Sequence, residues 1–212
     1  MSYFPFFIDI EGKTGVIVGG GAVAWRKVQA LLPFGVRLKV VAPQVVRPLK
    51  ELAERPDEPL ILCERTYVCN DLEDAFFVIA ATDDKQINHE VAVWCREHGV
   101  LVNAVDQKED CTFFFPALVK RGEVVAGIST GGGSPTMAGA IRRELDRQLP
   151  DYYGDVCGQL GQLREQIREQ VEEESERKHC MEELFRACRE HQGVISQAQT
   201  EAILRKHIHN IS

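Results

Sequence analysis

The residues in this chain whose types and spacing bear on chemistry gather around a triple glycine, Gly19-Gly20-Gly21, set between Val18 and Ala22. Taken as G-x-G-x-x-A, with Gly19, Gly21 and Ala24, the stretch has the form of a dinucleotide-binding fingerprint. One glycine serves the turn, one lets backbone approach a pyrophosphate, and one small residue lets helix pack on strand. The first N–H groups of the following helix, from Ala22 and Val23, and the positive end of its dipole would face the phosphates. Three further spots hold small or polar residues just beyond apolar runs: Pro43-Gln44, Thr82-Asp83 and Asn103 to Asp106. An aspartate there serves a ligand or caps a turn. A second glycine loop, Ser129-Thr130-Gly131-Gly132-Gly133-Ser134-Pro135, is either another anion cradle or a capped turn, with Ser134 as N-cap and Pro135 at N1 of a helix to Gln148.

These groups need a frame that delivers them to one edge. Thr14–Val18 is a short apolar run of the kind buried on both faces of a sheet. Ala24, Val28, Leu31 and Leu32 then recur at helical spacing, and Gly35 ends the helix. Further strands are predicted at 36–41, 60–63, 76–81 and 100–105. Helices are predicted at 45–54, interrupted by Pro48, and from Lys85 to Gly99 through Ile87, Val91, Trp94 and Cys95. Strands alternating with helices imply right-handed crossovers and a mainly parallel sheet, whose ligands bind beyond the carboxyl ends of the strands. The pattern changes after Asp110. Residues 113–119 and 124–128, joined by Lys120-Arg121-Gly122-Glu123, predict a β-hairpin outside the parallel sheet. From Asp151 strand signals vanish, and Leu160, Leu163, Ile167 and Val171 form a narrow helical stripe before a further helix around Met181, Leu184, Phe185 and Cys188.

Between Val36 and Val46 no Asp or Glu stands where an NAD-binding fold carries its ribose acid. Backbone or Gln44 must then hold the ribose, and Arg47 leaves a 2′-phosphate open, so the choice between NAD and NADP is not fixed by these residues. The net charge of −7 argues against a general nucleic-acid binder. No apolar run reaches the length of a bilayer span, and the Met1-Ser2-Tyr3-Phe4-Pro5 start lacks a charged n-region and a cleavage site, so no membrane role and a cytoplasmic location are expected. Seven cysteines lie singly with no C-x-x-C pair, which indicates neither a disulfide framework nor a thiolate zinc site. His179 beside Cys180, and His207 with His209, lack ligand spacing, and no metal site is expected.

Five stretches resemble one family in order: Phe6-Phe7-Ile8-Asp9-Ile10; Val18 to Ala24 with Arg26-Lys27; Ala80-Ala81-Thr82-Asp83-Asp84; Asn103-Ala104-Val105-Asp106; and Ser129 to Pro135. They are similar to the precorrin-2 dehydrogenase and sirohydrochlorin ferrochelatase family, which includes the N-terminal part of siroheme synthase. That family likewise departs from the ribose-acid rule. The resemblance implies an α/β chain in three parts: an NAD-binding Rossmann-like parallel sheet at 1–110, a dimerisation region with the β-hairpin at 111–150, and a helical domain at 151–212. It implies a homodimer that oxidises precorrin-2 to sirohydrochlorin with hydride passing to NAD⁺, with Fe²⁺ as substrate in members that go on to siroheme. The methyltransferase half of fused siroheme synthases is expected to be missing.

On that implied reaction a proton must leave with the hydride, and nicotinamide accepts only the hydride. Asp106, which matches the family's essential aspartate, is the expected base; capping the turn is its structural alternative. Gly19, Gly20, Gly21, Ala22, Val23, Pro43, Gln44, Thr82, Asp83 and Asn103 are expected to contact NAD. The substrate's carboxylates call for cations or N–H donors, and the candidates are Ser129, Thr130, Gly131, Gly132, Lys120 and Arg142, with Arg26, Lys27, Arg121 and Arg143 nearby. Solvated surface is the alternative for each cation. A rival of another class is a non-catalytic NAD(H)-sensing module, which needs the glycine turn but no acid at Asp106.

Overall fold

The computed structural model describes residues 4–208. His209 and the Met1-Ser2-Tyr3 start, both used above, lie outside them. The chain divides into two compact units, one ending at Phe115 and the other beginning at Pro116.

In the first unit five strands, β1 (Thr14–Val18), β2 (Arg37–Val41), β3 (Leu60–Cys63), β4 (Phe77–Ala80) and β5 (Leu101–Ala104), form one sheet in the order β3-β2-β1-β4-β5. All four pairings are parallel. The order runs outward both ways from β1, so the carboxyl ends of β1 and β4 flank the point where the winding reverses, the position at which such sheets hold ligands. Helices α1 (Ala22–Leu31), α2 (Arg47–Ala53) and α3 (Lys85–Glu97) join the strands.

Why these runs become central strands is visible in their burial. Ile17, Val40 and Ile79 face one side, where they pack with Ala24 and Val28 of α1 and Leu49 of α2. Val16, Val18, Val41 and Val78 face the other, against Val91, Ala92 and Cys95 of α3. With both faces covered, β1 and β4 show no polar alternation; β2 keeps Arg37 and Lys39 alternating with its apolar residues. Gly35, at φ +68°, closes the single 3₁₀ turn Leu32–Phe34 that follows α1. Pro48 does not interrupt its helix as expected. It lies in the first turn of α2, which starts only at Arg47, and a missing N–H costs nothing there.

The second unit opens with an antiparallel hairpin, β6 (Ala117–Arg121) and β7 (Val124–Ile128), turning at Gly122 with φ +54°. Its first strand starts later than the sequence suggested. Phe113 and Phe115 pack on the core of the first unit, Phe113 edge-on to Phe77 at 6.1 Å between ring centres, and Pro116 follows them. Helix α4 (Pro135–Gln148) is tied to the hairpin by Arg121, whose guanidinium donates to the Asp146 carboxylate at 2.9 Å. Helices α5 (Tyr153–Gln170), α6 (Glu174–His191) and α7 (Gln197–Ile208) enclose Val156, Ile167, Val171, Leu184, Cys188, Ile203 and Leu204. The acidic run Glu172-Glu173-Glu174 marks the break between α5 and α6.

Candidate functional site

Each residue of the glycine turn answers a different constraint. Gly19 has φ +124°, and its N–H donates to Val41 O at 2.9 Å. A Cβ on Gly19 would stand 2.3 Å from the Ala81 carbonyl oxygen at the end of β4. Gly20 is excluded from a side chain by the loop after β2: its Cβ would lie 2.2 Å from Gln44 O. The Gly20 carbonyl in turn accepts the Val46 N–H at 2.9 Å. Pro43 and Gln44 are thereby folded beside the turn. Gly21 differs from both, for a Cβ there meets nothing within 4 Å, and its backbone is of an ordinary extended kind. It is the N-cap of α1 and no side chain caps that end. Ala24 is fully buried where α1 packs on the sheet. Open space over Gly21 in front of an uncapped helix start, led by Ala22 and Val23, fits a pyrophosphate group. Arg47 is 89% exposed in its side chain and is held by Glu51 at 2.6 Å.

At the end of β4 the side chains are used internally. The Thr82 hydroxyl donates to Asn88 Oδ1 at 2.7 Å, and Asn88 Nδ2 donates to Thr82 O at 3.0 Å. Asp84, not Asp83, is the N-cap of α3: its carboxylate accepts the Gln86 N–H at 2.8 Å. Asp83 is exposed. Asn88 was not singled out from sequence, although a polar residue 2% exposed between Ile87 and Val91 on an apolar helix face is the signal that would find it.

Beyond β5, Asn103 is buried and its amide donates to Phe113 O at 3.0 Å, which holds the aromatic segment along the strand. Asp106 is exposed and has φ +59°, one of two non-glycine residues in the left-handed region among those described. Four residues on, Asp110 is 5% exposed and gathers His89, Arg96 and Gln107 around its carboxylate. Burial would raise the Asp110 carboxyl, but the hydrogen bonds and charges of His89 and Arg96 hold it below the usual carboxylate range. Lys27 of α1 sits with its ammonium 3.7 Å from the centre of the Phe115 ring. Burial, with Arg26 beside it and Cys111 opposing, lowers Lys27 to about 8.

In the second unit, Ser134 caps α4 through its hydroxyl, which accepts the Met137 N–H at 3.2 Å, with Pro135 in the first turn. Gly131 and Gly132 adopt φ +61° and +81°. Ser129 Oγ accepts the Gly131 N–H at 3.2 Å, and Thr130 Oγ1 bonds both the Ser134 carbonyl and its N–H. This loop is closed by its own hydroxyls. Lys120 donates to the Gly122 carbonyl, and Arg142 lies 3.8 Å from Asp146. His207 is bracketed by Glu176 at 2.9 Å and Glu183 at 3.0 Å. Among the described residues no group of three or more His, Cys, Asp or Glu is arranged to hold a metal ion.

A family model described as "Putative NAD(P)-binding" matches residues 6–117. The chain is 35% identical over 215 residues to the siroheme synthase of Pseudomonas aeruginosa (strain LESB58), covering 98% of this chain and 44% of that protein. It is 34% identical over 213 residues to the siroheme synthase of Stutzerimonas stutzeri (strain A1501), at 100% and 45% coverage. The chain thus spans less than half the length of these curated relatives. A solved structure titled "SirC, precorrin-2 dehydrogenase" shares the fold at a TM-score of 0.73 and 24% identity, over 96% of this chain and 98% of that one.

Proposed function

The chain belongs to the putative NAD(P)-binding family, and from that premise we propose that it oxidises precorrin-2 to sirohydrochlorin, with NAD⁺ as hydride acceptor. The observation that carries the reading is the pairing of an open, uncapped helix start at Gly21 with an exposed acid, Asp106, at positive φ beyond another strand of the same sheet. The relatives named for siroheme synthesis and the fold shared with a precorrin-2 dehydrogenase support the choice of substrate.

When bound, the dinucleotide supplies a hydride acceptor and nothing that accepts a proton. Gly19 and Gly20 keep the turn low and free of side chains, and the first N–H groups of α1 hold the pyrophosphate. Pro43 and Gln44 line the adenosine side. As C–H hydride leaves the macrocycle, Asp106 takes the accompanying proton. A carboxylate is a weak base in water, and a macrocycle covering it strengthens it by desolvation.

Two further parts belong to the same reading. Fe²⁺ enters as substrate and displaces two pyrrole protons, one taken by Asp106 and the other by solvent water. The working form is a homodimer in the cytoplasm: the β6-β7 sheet has only two strands, and all seven cysteines are free thiols suited to a reducing compartment. Among the described residues no helix is long and apolar enough to cross a membrane.

The test is to supply precorrin-2 and NAD⁺ and follow NADH and the sirohydrochlorin spectrum together. One NADH per sirohydrochlorin is expected, and no NADH above the enzyme-free control would refute the proposal. Adding Fe²⁺ to sirohydrochlorin tests chelation separately, where a rate equal to the uncatalysed one removes that part alone.

A further inference from the structure

The turn that carries Asp106 is built from outside itself. Asp106 is an acid in a backbone conformation that L-residues adopt at a cost, φ +59°, between two ordinary anchors: the Val105 N–H on Ala80 O at 2.9 Å and the Gln107 N–H on Ala104 O at 3.4 Å. Neither anchor fixes the turn on its far side. That is supplied by Asp110. Its carboxylate faces His89 Nδ1 at 2.8 Å and accepts from Arg96 Nη1 at 3.1 Å and Gln107 Nε2 at 3.1 Å, joining two residues of α3 to the one beside Asp106.

Gln107 adds a second tie, its Nε2 also donating to Lys85 O at 3.1 Å at the start of α3. Its Oε1 is enclosed with no hydrogen-bond partner. Cys111 closes the segment, its thiol directed at Ala104 O and Gln107 O at 3.2 and 3.3 Å.

We propose that Asp110 is a positioning residue: with His89, Arg96 and Gln107 it holds the turn after β5 in the one conformation that sets Asp106 against the substrate. This rests on the reading of Asp106 as proton acceptor. Without the clamp the turn relaxes toward negative φ at Asp106, the acid moves out of reach, and the proton-transfer step slows while dinucleotide binding at Gly19 to Gly21 is untouched. The Asp106 carboxylate shares no hydrogen bond with Asp110, His89, Arg96 or Gln107, so the effect reaches the chemistry through backbone geometry.

The experiment is a double-mutant cycle on the full chain with precorrin-2 and NAD⁺, using Asp106→Ala, Asp110→Ala and both together, with the NAD⁺ dissociation constant measured in each. Asp110→Ala is expected to lower kcat about 10-fold or more with NAD⁺ affinity within 2-fold of wild type, and to cause no further loss once Asp106 is Ala. A residue that merely stabilises the domain would add its loss in both backgrounds. Gln107→Ala removes a tether without leaving a buried charge, and is expected to give the same kcat loss with unchanged NAD⁺ affinity; it decides the matter if Asp110→Ala does not fold. Wild-type kcat in Asp110→Ala, or in Gln107→Ala if that is the deciding variant, or losses that simply multiply, overturns the positioning role. Full turnover in Asp106→Ala instead removes the base assignment, and the positioning role with it.

Discussion

Gly19 lies directly against Ala81: a Cβ on the glycine would be 2.3 Å from the Ala81 carbonyl oxygen. Two residues on, Gly21 has no such neighbour within 4 Å. On the proposed reading, the same motif holds one glycine for the protein and one for the ligand.

Substitution separates them. Gly19→Ala, at φ +124° and against backbone, is expected to cost about 2 kcal/mol of stability, and to weaken NAD⁺ binding as well. Gly21→Val has room and an ordinary backbone, so stability is expected to fall only by about 1 kcal/mol, the cost of an apolar N-cap, while NAD⁺ affinity falls 10-fold or more. Urea melts followed at Trp25 and Trp94, both in the first unit, read stability; titration with NAD⁺ reads binding. A Gly21→Val protein that binds NAD⁺ normally would move the pyrophosphate elsewhere.

Asp71 fastens the outer side of the same sheet. It is 5% exposed, and its carboxylate meets Lys39 of β2 at 2.6 Å, Arg65 at 2.6 and 2.7 Å, and the Val68 N–H at 2.9 Å. The hydrogen bond from Arg65, with Lys39 and Val68 behind it, outweighs burial and holds the Asp71 carboxyl well below the usual carboxylate range. A depressed carboxyl contributes stability above its unfolded pKa, near 3.9, and that contribution is lost as pH falls through the folded value. Asp71→Asn is expected to cost about 3 kcal/mol at pH 7, the low end for breaking a buried pair because both cations reach solvent. Tryptophan-detected melts at neutral pH and at successively lower pH are expected to show the gap between the two proteins closing in acid. A constant gap would contradict the assignment.

His207 works in the opposite sense. Burial would lower it, but hydrogen bonds to Glu176 and Glu183 raise it, and those carboxylates are lowered in turn. His179 near Glu176 and Lys206 at Glu183 complete the charged set between α6 and α7. A raised histidine contributes stability that is full below its unfolded pKa, near 6.5, and is lost as pH rises through the folded value. Amide hydrogen exchange in α7, corrected for intrinsic rates, is expected to quicken from pH 6 to 9 in the wild type. His207→Gln is expected to flatten that dependence. Equal slopes in both proteins would rule this contribution of His207 out.

The parallel sheet was legible because β1 and β4 are short apolar runs buried on both faces between turn signals, and the glycine turn because Gly19 and Gly20 must be glycine for local reasons. What stayed hidden depends on contacts across the chain. His89 and Arg96 read as exposed helix residues until Asp110, 21 and 14 positions away, is seen between them. Phe113 and Phe115 alternate as a strand would, yet Phe77 and the first core claim them before the hairpin begins at Ala117. Asp83 and Asp84 are equivalent on paper, and only backbone geometry gives the cap to the second.

In the proposed reaction the hydride leaves the substrate for bound NAD⁺ and the proton leaves for Asp106. Measured most directly, Asp106→Asn is mixed with NAD⁺ and precorrin-2 in a single turnover, with NAD⁺ affinity determined alongside. NADH formation slowed about 10²-fold or more at unchanged NAD⁺ affinity is the predicted result; wild-type NADH formation by Asp106→Asn would contradict it.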